Sequence, residues 1–162
     1  MHETIKLEHG SGGYLANQLV ADIIYPAFQS EAYPELTDAA GFGTDAEWCM
    51  TTDSFVVDPP FFPGSDIGRL SVFGTCNDLA VSGAEPRFIS CAFILEEGFP
   101  MADFRRVLTS IASACKEVGV QVITGDTKVV PRGTGDGIYI NTCGIGRRQL
   151  ASTPSRRKIH PG

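Results

Sequence analysis

The sequence predicts an α/β or α+β sandwich: one domain in which helices cover one face of a sheet. Three observations carry this. A chain of 162 residues, 43% hydrophobic and 20% charged, can bury a single core. Its apolar periodicity switches in the order helix, strand, helix, strand, helix, strand, strand. Its most regular stripe lies within Met101–Val118, where Phe104, Val107, Leu108, Ile111, Ala112 and Cys115 fall on one side of a helix.

Taken in order, residues 11–28 open with a capping-type serine and glycines, then place Leu15, Leu19 and Ile23 at helical spacing. Residues 29–47 hold Pro34, Gly41 and Gly43 and read as loop, with a short strand candidate at 36–40. Residues 48–57, rich in threonine, valine and aromatics, read as a strand ended by Asp58-Pro59-Pro60. Residues 61–66 form a Pro/Gly loop. The spacing of Leu70, Phe73, Asn77 and Val81 predicts a helix over 67–82, closed by Gly83. Pro86 introduces a strand at 87–95, and Gly119 caps the helix at 101–118. Strands at 120–130 and 137–145 follow, divided by Arg132-Gly133-Thr134-Gly135. This leaves one sheet face without helices. Residues 1–146 form the domain, and 147–162, which lack a core pattern, form a basic tail or truncated linker.

The net charge is −6, unevenly spread. Five of the thirteen basic residues lie from Arg147 onward, so the preceding body sets eight against nineteen acids, a net of −11. Such a body argues against broad nucleic-acid binding, and a phosphate ligand there calls for a divalent cation. The five cysteines are scattered without a C-x-x-C pair, as expected of buried free thiols in a reducing compartment. No secretory core or bilayer-length apolar run is present, so a cytoplasmic protein without membrane partners is expected.

Four aspartates are embedded in apolar or small-residue stretches: Asp38, Asp53, Asp78 and Asp126. Burying such charges is costly unless they are paired or bind a metal, and hard oxygen ligands suit Mg²⁺. Caps of turns and helices give the same residue type. Lys128 follows Asp126 by two residues on one strand, so both face one side, either as a surface ion pair or to hold phosphate or guide a proton. His9-Gly10-Ser11-Gly12-Gly13 precedes a helix and would let backbone approach phosphate, though it lacks the Walker A lysine.

Several strings, in order, resemble the PurM-like ATP-using superfamily, and within it the HypE-type carbamoyl dehydratases of hydrogenase maturation. They are His9-Gly10-Ser11-Gly12-Gly13, Thr51-Thr52-Asp53-Ser54-Phe55-Val56-Val57, and Phe61-Phe62-Pro63-Gly64. Gly74-Thr75-Cys76-Asn77-Asp78-Leu79-Ala80, Glu96-Glu97-Gly98-Phe99-Pro100, and Thr124-Gly125-Asp126-Thr127-Lys128-Val129-Val130 complete the set.

The resemblance implies a PurM-like amino-terminal domain with a mixed four-stranded sheet and helices on one face. The sheets of two copies would pair into a barrel across a homodimer. It implies Mg²⁺ and ATP as cofactors. Asp38, Asp53, Asp78 and Asp126 would serve as metal ligands. Gly10, Ser11, Gly12, Gly13, Asp53, Asn77, Asp78, Asp126 and Thr127 would line the nucleotide. Lys128 and Asp78 would guide protons while an S-carbamoyl group is phosphorylated and dehydrated to a thiocyanate. A carbamoyl-transferase and an iron-scaffold maturation protein would be partners.

Family members carry a second domain ending in an acceptor cysteine, whereas the last cysteine here is Cys143. The chain therefore reads as the amino-terminal half: an excised domain, a truncated product or one half of a split protein. Another PurM-like kinase or synthetase, and a remnant that only dimerises or binds partners, are the competing readings.

Overall fold

The computed structural model describes residues 4–28, 37–44 and 47–149. They form two compact units that divide between Thr37 and Asp38. In the first, a 3₁₀ turn (Leu7–Gly10) leads to α1 (Tyr14–Leu19), a π-helical segment (Val20–Ile24) and α2 (Tyr25–Phe28). The helix expected over 11–28 thus starts at Tyr14 and changes hydrogen-bond register. Pro26, which lacks an N–H and crowds the preceding turn, gives the physical reason for the wide turn just before it.

The second unit holds β1 (Ala40–Phe42), β2 (Trp48–Phe55), β3 (Phe61–Phe62), β4 (Ser65–Asp66) and α3 (Ile67–Val81). β5 (Ala84–Glu96), α4 (Met101–Val118), β6 (Gln121–Val130) and β7 (Ile138–Arg148) follow. The main sheet runs β1-β2-β7-β5-β6, antiparallel except for the parallel pair β5/β6 that α4 connects. Four long strands match the mixed sheet expected, and β1 adds a short fifth at the edge. The 61–66 loop is instead a small hairpin, because Pro63 followed by Gly64 at φ 83° makes its tight turn.

Two other boundaries move. β5 begins at Ala84 and tolerates Pro86 through a register shift between Pro86 and Phe88, where the ladder loses a donor. β7 continues through Arg147 and Arg148 because Trp48 on β2 and Ala84 and Glu85 on β5 offer it backbone partners. Arg147 also pairs with Glu47 at 2.8 Å. β7 therefore extends beyond residue 146, and residues 150–162 lie outside those described.

α3 and α4 pack together over one face of the sheet. The core beneath them joins Ile67, Val72, Val107, Ile111, Ile138 and Ile140. On α4, Ala114 is buried in place of Leu108 and Ala112, so the buried stripe is rotated slightly from the one expected. Cys49, Cys76, Cys91 and Cys115 are buried and Cys143 is half-buried, all as free thiols. Among the described residues the other sheet face exposes Met50 and Ile94, and edge strand β6 exposes Val122, Ile123 and Val129. Among the described residues no helix is long and apolar enough to cross a membrane.

Candidate functional site

β2 alternates, turning Cys49, Thr51, Asp53 and Phe55 toward the helices. β7 sends Ile138, Ile140, Thr142 and Gly144 to the same side, with Asp53 opposite Thr142 in register. Asp66 starts α3 by accepting from the Gly68 and Arg69 amides, at 2.8 and 3.0 Å. The helix then lays Ser71, Thr75 and Leu79 against the sheet. It approaches closely because Gly144 has no side chain: a Cβ there would stand 2.7 Å from Thr75 Cγ2 and 3.0 Å from Leu79 Cδ1.

This packing gathers three of the four aspartates. Thr75 Oγ1 lies 3.1 Å from Asp53 Oδ2 and hydrogen-bonds Thr142 Oγ1. Thr51 Oγ1 lies 2.8 Å from the Asp38 carbonyl and 3.3 Å from Asp78 Oδ2. Burial pushes the Asp78 carboxyl above the ordinary range. The Asp53 charge adds to this and Asp38 contributes a smaller push, while the Thr51 hydroxyl opposes them. Asn77 is exposed, one position before Asp78. Among the described residues no three His, Cys, Asp or Glu side chains form a ready-made metal-holding group. Mg²⁺ fits this setting nonetheless, since one or two carboxylates together with phosphate oxygens commonly hold it.

Asp126, Thr127 and Lys128 lie elsewhere in the chain. They sit on β6, paired in register with Ala92, Phe93 and Ile94 of β5. Two strands separate β6 from β2, a gap of roughly 14 Å at the usual strand spacing. Asp126 and Lys128 follow Ala92 and Ile94 onto the sheet face opposite to Asp53. They form an exposed ion pair at 3.7 Å, a weak interaction in water. Within one copy the structure thus does not bring Asp126 or Lys128 to the Asp38, Asp53 and Asp78 cluster. Gly10, Ser11, Gly12 and Gly13 belong to the amino-terminal unit. There the Ser11 hydroxyl donates to the Glu8 carbonyl at 2.9 Å, and His9 Nδ1 accepts from the Lys6 amide at 2.9 Å.

Thr51, Thr75 and Thr142 were missed by sequence reasoning, because threonine in a strand or helix reads as local propensity. Strand register and the packing of α3 on the sheet reveal them. The Glu96-to-Pro100 string has a structural role. Glu96 accepts from the Gly137 amide at 3.1 Å and from the Gly133 amide, closing the β6–β7 turn beside an open cleft of about 370 Å³.

Comparison with known proteins adds a family. Residues 36–148 match the AIR synthase related protein, N-terminal domain. The chain is similar to carbamoyl dehydratase HypE of Cupriavidus necator, 49% identical over 144 residues, covering 88% of this chain and 41% of that protein. It resembles HypE in a crystal structure of a HypE–HypF complex, with TM-score 0.81 and 45% identity over 89% of this chain and 47% of that one. It also resembles a HypE solved in complex with ATP, with TM-score 0.70 and 46% identity over 98% of this chain and 48% of that one. The chain spans less than half the length of the curated relatives it matches, 41% of the Cupriavidus protein and 48% of the Rhodobacter capsulatus one.

Proposed function

The chain belongs to the AIR synthase-related family through that amino-terminal domain, and from this premise we propose that it is the ATP-binding half of a HypE-type carbamoyl dehydratase. The observation that carries the reading is the cluster of Asp38, Asp53 and Asp78 around Thr51 and Thr75, in a chain 46% identical to a HypE solved with ATP.

Asp53 and Asp78, with Asp38, hold the divalent cation, whose ligation relieves the repulsion now opposing Asp78 ionisation. A divalent cation held there would supply positive charge to offset the negative charge of the triphosphate. Asn77 donates to phosphate. Asp126, as a further cation ligand, and Thr127, as a phosphate contact, reach the site from a second copy. The sheets of the two copies pair into a barrel.

The substrate is a carbamoyl group on a cysteine sulfur. Its amide oxygen attacks the γ-phosphorus and ADP departs. The C–O bond then breaks, phosphate leaves, and both nitrogen-bound protons are lost, so a cyano group remains on sulfur. Lys128 and Asp78 guide the departure of those protons to solvent from opposite sides of a shared site. A HypF-type carbamoyltransferase loads the cysteine, and an iron-bearing scaffold receives the cyanide.

Asp53→Asn is expected to abolish Mg²⁺-dependent ATP binding in calorimetry while the thermal unfolding profile is retained. Unchanged affinity would remove the cation role. The shared site has its own test in the full-length enzyme. Asp53→Asn and Lys128→Ala, each inactive alone, should regain activity when mixed, since one site of the mixed dimer is then intact. Failure of mixing would remove Lys128 from a site shared with Asp53.

A further inference from the structure

We propose that Thr142 and Thr75 form a directed hydroxyl relay that fixes the Asp53 carboxylate, making both threonines positioning residues for the cation and nucleotide. The relay stands on geometry; its purpose rests on the proposed function above.

Both threonines are fully buried, at 0% exposure. A buried hydroxyl without a partner is destabilising, so valine would serve packing better at either position. Their hydroxyls need a reason, and the geometry provides it. Each hydroxyl carries one proton, while an ionised carboxylate only accepts. Thr75 Oγ1 lies 3.1 Å from Asp53 Oδ2 and also bonds Thr142 Oγ1. The single arrangement that satisfies all three has Thr75 donating to Asp53 and Thr142 donating to Thr75. Each bond polarises the next, so the chain is aimed at the carboxylate.

Asp53 is held from its other end as well. Asn141 Nδ2 donates to the Asp53 carbonyl at 3.0 Å and to Ser54 Oγ at 3.0 Å. Thr52 Oγ1 donates to the Thr142 carbonyl at 2.8 Å, tying β2 to β7 beside the relay. Among the described residues, Asp53 Oδ1 accepts no hydrogen bond, so one oxygen is anchored and the other is left to a ligand. A carboxylate fixed in this way does not have to be ordered when the cation binds.

The test uses the whole chain with Thr75→Val, Thr75→Ser and Thr142→Val. Three-bond couplings to the Asp53 carboxyl carbon report its χ1 in the nucleotide-free protein. One rotamer is expected in the parent chain and in Thr75→Ser, and rotamer averaging in Thr75→Val. Calorimetry with ATP and Mg²⁺ should show Thr75→Val weakened by about 10- to 100-fold, Thr75→Ser within about threefold, and Thr142→Val between them. A single Asp53 rotamer in Thr75→Val would overturn the relay. Averaging in Thr75→Val alongside a parent chain that binds no Mg-ATP would support the relay and overturn the nucleotide reading instead. If Thr75→Val does not fold, Thr142→Val decides: binding and rotamer both equal to the parent would overturn the relay.

Discussion

Gly144 and Thr75 face each other across the helix–sheet interface so closely that a Cβ on the glycine would stand 2.7 Å from the threonine methyl. The same contact sets the height of α3 over the sheet, and with it the reach of Thr75 to Asp53. Gly144→Ala is therefore expected to destabilise the chain by about 1–3 kcal/mol, the usual effect of overpacking. It should also weaken ATP binding, because α3 must move. Thr75→Ser removes the colliding methyl and keeps the hydroxyl, so the double variant should recover part of both losses. Thermal unfolding and nucleotide titration of the four proteins check this; strictly additive losses would show that the contact is not the cause.

Asp78 carries a trade-off between folding and function. Burial first, then the Asp53 and Asp38 charges, raise its carboxyl pKa in the folded chain. A raised acid binds its proton more tightly when folded. Its contribution to stability is present below the unfolded carboxylate range and is lost as pH rises through the folded value. At neutral pH the ionised group opposes folding. Asp78→Asn should raise the unfolding temperature by about 1–4 °C at pH 7. That gain should shrink toward zero near about pH 4, and Mg²⁺-dependent ATP binding should be lost. A lower unfolding temperature at pH 7 would contradict the electrostatic assignment.

The thiols report on the sheet face opposite the helices. Burial pushes Cys76 and Cys91 up to about 11, with Cys115 adding to both, and burial raises Cys115 and Cys143 as well. The thiolate is the reactive form, so alkylation of the native chain should be slow and confined to Cys143, the one half-buried cysteine. Cys143 follows Asn141 along β7 onto that face. If two copies pair there, its labelling rate should fall several-fold as protein concentration passes through the dimerisation range, on the order of the sharp protection that burial gives. A rate independent of concentration would mean the face stays uncovered.

Much of the fold was legible because its signals are local. α4 follows from its stripe and from Gly119, which takes a left-handed φ of 82° at its end. The start of β2 at Trp48 follows from composition. The end of β7 was not legible, since Arg147 and Arg148 join a strand only because β2 and β5 offer partners. The π segment before Pro26 depends on a register choice that periodicity does not encode. At the site, residue type singled out Asp38, Asp53 and Asp78, and topology then brought them together. The same topology separated Asp126 and Lys128, because two strands intervene between β2 and β6. Thr142 became visible through its pairing with Asp53, and Thr75 through the packing of α3 on the sheet.

The central claim is that the acidic cluster is a cation-dependent nucleotide site completed by two copies of the chain. Calorimetric titration of the purified chain with ATP, with and without Mg²⁺, alongside its mass in solution, tests this most directly. The account predicts saturable binding that requires Mg²⁺, by a dimer. Binding that ignores Mg²⁺, or a monomer that binds nothing, would contradict it.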